Sequence, residues 1–174
     1  MLHYRCLNIQ DLHRYIKDLM ECYNCNFLIC DNHSPCKVTN YQELFNHLVD
    51  FQTASDSLIF GVFDEEENYL YGYILFDNIR ITKERSCAQV HILNHKAIWG
   101  RALRDLYIQF LHSTIFDTVY CEIPAIAAGA IGVCKKMGFK KTGYVPHCLP
   151  YTDIRGNERM YDKFIYVWER EENE

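Results

Sequence analysis

The chain has 174 residues, of which 49% are hydrophobic and 24% charged, and its formal charge is −5 at neutral pH. That length suits one domain with one substantial core, the composition excludes a disordered chain, and the acidic balance argues against a surface that coats nucleic acid. No apolar run is long enough to cross a bilayer and the N-terminus lacks a signal-peptide pattern, so the expectation is a soluble, cytoplasmic protein without a membrane partner.

In chain order, residues 2–8 read as a short strand. Asn8 is a helix cap, with Asp11 well placed near the positive helix end. Leu12, Tyr15, Ile16, Leu19, Met20 and Tyr23 recur at helical spacing, which predicts one helix from about residue 9 to 23. The following stretch holds Cys22, Cys25, Cys30, His33 and Cys36. Thiolates and imidazole suit a zinc ion, but the spacing is irregular, and Cys22 and Cys25 extend the apolar stripe of the helix. Small buried hydrophobes is therefore the preferred reading, and no metal is assigned. Nine cysteines, an odd number, read as reduced thiols in a chain without an export signal.

Asn40-x-x-Glu43 is a capping-box pattern for a second helix, whose apolar face is Leu44, Phe45, Leu48 and Val49. Ser57–Phe63 and Tyr69–Phe76 read as a β-hairpin around the acidic turn 64–68. Residues 77–86 are polar. They lead into a strand that alternates, with Ala88, Val90 and Ile92 on one face and Gln89, His91 and Leu93 on the other. Gly100 then opens an amphipathic helix from Arg101 to Thr114, with Leu103, Leu106, Tyr107, Phe110 and Leu111 inward. Thr118–Ile123 is a strand ended by Pro124. Ala130, Ile131, Cys134 and Met137 line a further helix capped by Gly138. A strand near 139–147, a turn at Asp153–Asn157 and a last strand Met160–Trp168 close the chain, with a charged tail after them.

A glycine between a strand and a helix lets backbone amides approach an anion at the positive helix end. The order Val90-His91, Gly100-Arg101-Ala102-Leu103, Glu122-Ile123-Pro124-Ala125 and Gly138-Phe139 resembles the GCN5-related N-acetyltransferase (GNAT) family. It looks like a branch found in bacteriophage genomes. The resemblance covers residues 88–144 by motif and the flanks by topology. It implies a single domain over 1–174 of α/β (α+β) class, with a mixed, mostly antiparallel twisted sheet of about six to seven strands and about four flanking helices.

The resemblance also implies acetyl-CoA as acyl donor and an amine acceptor, either a protein or a small molecule. Amides of Ala97, Ile98, Trp99, Gly100, Arg101, Ala102 and Leu103 would meet the pyrophosphate. The main chain of Ile92 and Leu93 would bind the pantetheine arm. Lys135, with Lys136, Lys140 and Lys141, would either meet the 3′-phosphate or form a solvated basic edge. His91 stands where related enzymes often carry a carboxylate base, and the ordinary imidazole pKa of about 6.5 suits that role. Glu122 is a second base candidate.

Three positions depart from the family pattern. Ala97 replaces a Gln or Arg, Ala127 replaces an Asn, and Cys134 stands where a Tyr usually acts as general acid. An active N-acetyltransferase, a degenerate binding module with a protein partner, and a zinc-stabilised domain are therefore all carried forward. In this fold the acceptor is chosen by segments that correspond to 24–40 and 144–160, which carry no signature.

Overall fold

A computed structural model describes residues 2–26, 38–95, 101–152 and 157–171 and, within them, all side chains but those of residues 101–103 and 152. Strand β1 (His3–Cys6) leads to Asn8, whose side chain accepts from the Asp11 amide while Asp11 accepts from the Asn8 amide, each at 2.9 Å. This reciprocal cap opens α1 (Ile9–Arg14). The single helix expected over 9–23 is divided: Tyr15, at φ −103° and ψ 18°, ends α1, and α2 runs Ile16–Cys25. The Tyr15 hydroxyl donates to the Glu67 carbonyl at 2.7 Å, a partner 52 residues away that periodicity does not reveal. Helix α3 (Tyr41–Thr53) starts on Asn40, which accepts from the amides of Gln42 and Glu43.

Strands β2 (Leu58–Phe63) and β3 (Leu70–Ile81) form the expected hairpin, but β3 continues past Phe76 through the polar stretch and turns back into β4 (Ser86–Asn94). Then come α4 (Arg101–Ser113), β5 (Thr118–Pro124), α5 (Ala128–Lys136), β6 (Lys140–Thr152) and β7 (Glu158–Glu169). Gly138, at φ 91°, ends α5. Its amide bonds to the Lys135 carbonyl and that of Phe139 to the Cys134 carbonyl, each at 3.1 Å, in a conformation that favours glycine.

The seven strands form one sheet in the order β1-β2-β3-β4-β5-β7-β6, in which only β4 and β5 are parallel. This is the mixed, mostly antiparallel sheet expected, with five helices among the described residues. Each face carries its own core. On one, Leu12, Leu19 and Leu48 of α1–α3 pack on Ile59, Phe63, Tyr73, Leu75 and Leu93. On the other, Tyr107, Phe110 and Cys134 of α4 and α5 pack on Ile74, Phe76, Ala88, Val90, Val119 and Ile123. The alternation expected in β4 is therefore present, with Ala88, Val90 and Ile92 toward the second core and Leu93 toward the first. No helix among the described residues is long and apolar enough to cross a membrane.

Candidate active site

The parallel ladder between β4 and β5 is short. Cys87, Ala88 and Gln89 pair with Thr118, Val119 and Tyr120, and beyond them the strands part. From Val90 onward, β4 backbone groups that point toward β5 have no ladder partner on that side among the described residues. Buried backbone groups need partners, so such a split is either filled or built to receive something. A cavity of about 610 Å³ follows it, within the size range of ligand sites. Val90, Ile92, Ile123, Val133 and Met137 give it an apolar wall, and His91 and Glu122 bring titratable groups to it.

Polar groups also stand at the end of the split. Asn26, the residue that ends α2, donates through Nδ2 to the carbonyls of Asn94 and Cys22, each at 2.7 Å, and so ties that helix to the end of β4. The Tyr107 hydroxyl donates to Asn94 Oδ1. Burial pushes the Tyr107 phenol well above its ordinary value, so it remains a donor. Arg104, in the first turn of α4, and Lys136, at the end of α5, bring cationic groups to the wall.

The sequence-predicted residues divide between several places. His91, Ile92, Glu122 and Cys134 line the cavity. The Leu93 side chain is buried in the core on the opposite face, which leaves only its main chain for a ligand. Ala127 is the buried N-cap residue of α5, without a side-chain cap bond. Lys135 is exposed and off the wall, where its neighbour Lys136 stands. Arg101, Ala102 and Leu103 begin α4 as expected, at the helix end that favours anions. The expected phosphate-binding turn of Ala97, Ile98, Trp99 and Gly100 lies outside the described residues.

Cys134 faces Cys121 across the cavity wall, Sγ to Sγ 3.3 Å. That contact, together with burial, pushes the Cys134 thiol far above its ordinary value, which makes it a weak proton donor. Cys22 lies fully buried in α2, where burial raises its thiol likewise and disfavours the thiolate a metal would need. Among the described residues no group of three or more His, Cys, Asp or Glu side chains is arranged to hold a metal; Cys30, His33 and Cys36 lie outside them.

On the sheet face away from α4 and α5, a row of polar side chains borders the split. Asp77 Oδ2 is 3.4 Å from His91 Nε2, and Lys163 Nζ is 3.6 Å from Glu122 Oε2. Between these pairs stands Tyr120, whose phenol is raised by burial and by the carboxylates of Asp77 and Glu122. Sequence reading missed Asp77, Tyr120 and Lys163, as well as Asn26, Asn94 and Arg104. For Tyr120 a usable signal existed, since it shares a strand face with Glu122.

A family model described as an acetyltransferase (GNAT) domain matches residues 5–165. Among solved structures, spermidine N-acetyltransferase from Vibrio cholerae in complex with CoA and spermine is 20% identical, with 97% of this chain and 95% of that one covered and a TM-score of 0.70. A ribosomal L7/L12 alpha-N-protein acetyltransferase in complex with coenzyme A is 13% identical, with 97% and 93% covered and a TM-score of 0.70. At these identities the likeness is one of fold. No curated protein matches the sequence.

Proposed function

The chain belongs to the acetyltransferase (GNAT) domain family, and from that premise we propose that it moves an acetyl group from acetyl-CoA to an amine acceptor, with His91 as general base. The observation that carries this reading is the cavity of about 610 Å³ along the β4–β5 split, with His91 on its wall. The fit to the cofactor is chemical as well as spatial. The β4 main chain past Gln89 suits an amide-bearing arm, the apolar wall suits its methylenes, and Arg104 and Lys136 suit its phosphates. When bound, acetyl-CoA supplies an acetyl group activated as a thioester.

The chain's own residues handle the proton. An ammonium cannot attack until it loses one, and an imidazole within reach is suited to take it. Glu122 is the less favoured base, because the buried Lys163 ammonium holds its carboxylate. Cys134 is not assigned as an acid, given its contact with Cys121. The likeness to a bacteriophage-type branch rests on the segment from Val90 to Phe139 alone.

Titration calorimetry with acetyl-CoA, followed by thiol release with a panel of spermidine and free-N-terminal peptides, tests the reading. Saturable binding and turnover that His91→Ala lowers by about 100-fold or more are expected. No binding at high micromolar acetyl-CoA would overturn the reading. Binding without turnover on any amine would support the non-catalytic module instead.

A further inference from the structure

We propose that Asp77 is a positioning residue for this reaction. Its carboxylate holds the His91 ring with the proton on Nε2, leaves the Nδ1 lone pair for the acceptor ammonium, and stabilises the imidazolium that results. This rests on the reading of His91 as base.

Three observations carry it. The first is proximity and burial: Asp77 Oδ2 lies 3.4 Å from His91 Nε2, and the His91 side chain is only 8% exposed. The second is the state of the carboxylate. Among the described residues its other oxygen, Oδ1, is buried without a hydrogen-bond partner, and no Lys or Arg pairs with the carboxylate. The nearby Arg80 pairs with Asp56. A partly buried anion without a cation is unfavourable in the resting protein and becomes favourable when a positive charge appears beside it. The imidazolium of His91 is that charge. Stabilisation that grows only as the proton moves is the kind that accelerates a reaction.

The third observation is the backbone device that places Asp77. Pairing between β3 and β4 shifts after Asp77↔Gln89, so that Asn78 and Ile79 together oppose Ala88. Asn78 sits at φ 50°, in the left-handed region that asparagine tolerates better than most residues. Its Nδ2 donates to Gln89 Oε1 at 3.0 Å, which fastens the bulge to β4. Bulges redirect side chains and are frequent beside active sites. Here the bulge begins at Asp77, on the strand pair that carries His91 across from Leu75. Gln89, cross-strand from Asp77, keeps a buried Nε2 without a hydrogen-bond partner among the described residues.

The proton balance is simple. The acceptor N–H bond breaks as the His91 Nδ1–H bond forms, the amine keeps its electron pair, and the ring carries the charge that Asp77 faces. At 3.4 Å the two groups stand within ion-pair range without a hydrogen bond in the resting state. The bond forms as the ring charges, since catalytic contacts commonly tighten along the reaction.

The first test needs no acceptor. Histidine-labelled full-length protein is compared with Asp77→Ala by nitrogen NMR at mildly alkaline pH, with the His91 signal assigned through His91→Gln. The expected result is an Nε2–H tautomer in the parent protein and a mixed or reversed tautomer in the variant. Asp77→Asn, which keeps the shape, serves if Asp77→Ala does not fold. In turnover with acetyl-CoA and spermidine, or whichever panel amine reacts, the expected loss is at least about tenfold in kcat with acceptor KM nearly constant and no added loss in a His91→Ala background. A parent-like tautomer and kcat in both variants would overturn the proposal, as would a rise confined to acceptor KM, which makes Asp77 a substrate-gripping group. If His91→Ala is itself fully active, the base reading fails; if only the Asp77 variants are active, this inference alone fails.

Discussion

Along its β3 edge, β4 is paired from Ser86 to Asn94 with one bulge; along its β5 edge the pairing ends at Gln89. The two seams belong to the same strand, so β-propensity does not separate them. The β3–β4 seam is closed from both sides: Ile74 and Phe76 are buried in one core, Tyr73 and Leu75 in the other. Even the backbone leaves no slack there. A Cβ on Gly72 would meet Asn94 Oδ1 and come within 3.0 Å of the Leu93 carbonyl, so only glycine fits. The β4–β5 seam has no such filling past Gln89, and an apolar cavity lies in its place. The sheet thus gives up pairing at one seam while the other is paired along its length but for one bulge. Local rigidity on one side is what allows an opening on the other to keep its shape.

A cavity made in the closed seam should be costly, whereas a cavity lost from the open one should cost binding. Phe76 is fully buried and in ring contact with Phe60, Phe110 and Phe116. Phe76→Ala should lower the free energy of unfolding by about 3–5 kcal/mol. Denaturant unfolding checks this; a loss under about 1 kcal/mol would show that the closed seam collapses readily and that the contrast is overstated. Val133→Phe fills the open seam from α5. Acetyl-CoA affinity should fall at least tenfold, about 1.4 kcal/mol, with unfolding stability little changed. If affinity holds, the ligand does not occupy the split.

How much of this contrast was legible depended on how local its causes are. The β4 alternation, the extent of α4, the stop at Pro124 and the Gly138 cap follow from neighbours in sequence, and all stand in the structure. The break at Tyr15 was hidden because the apolar spacing runs straight through it, and the bond that fixes it goes to Glu67. Asp77 was passed over because residues 77–86 are polar enough to read as a loop. In the structure the first part of that stretch is strand, and the bulge that carries its polar residues is a product of pairing. Asn26 was overlooked beside a run of cysteines, although its amide, not a thiol, joins α2 to the split. The partner of Glu122, Lys163, comes from a strand that returns late in the chain, and no spacing rule connects them.

An electrostatic clamp on the closed side should give way in acid. Glu67, in the β2–β3 turn, accepts from Arg5 at 2.8, 2.9 and 3.1 Å and lies 3.0 Å from His3 Nε2, which binds the turn to β1. Arg5 also pairs with Asp11 in α1 at 2.8 Å, so one guanidinium holds strand, turn and helix together. The Arg5 bonds, and after them His3, bring the Glu67 carboxyl from 4.5 down to about 2. A carboxylate depressed by folding contributes fully above its unfolded value and loses that contribution as pH falls through its folded value. Glu67→Gln should therefore lower stability by about 1 kcal/mol near neutral pH, the scale for partly exposed charged pairs. The gap between variant and parent should close between about pH 4.5 and pH 2. Denaturant midpoints across that range measure it. No gap near neutral pH would mean that the turn is held by the neutral bond from Tyr15 to the Glu67 carbonyl and by packing. The closed seam would then owe its rigidity to the core alone.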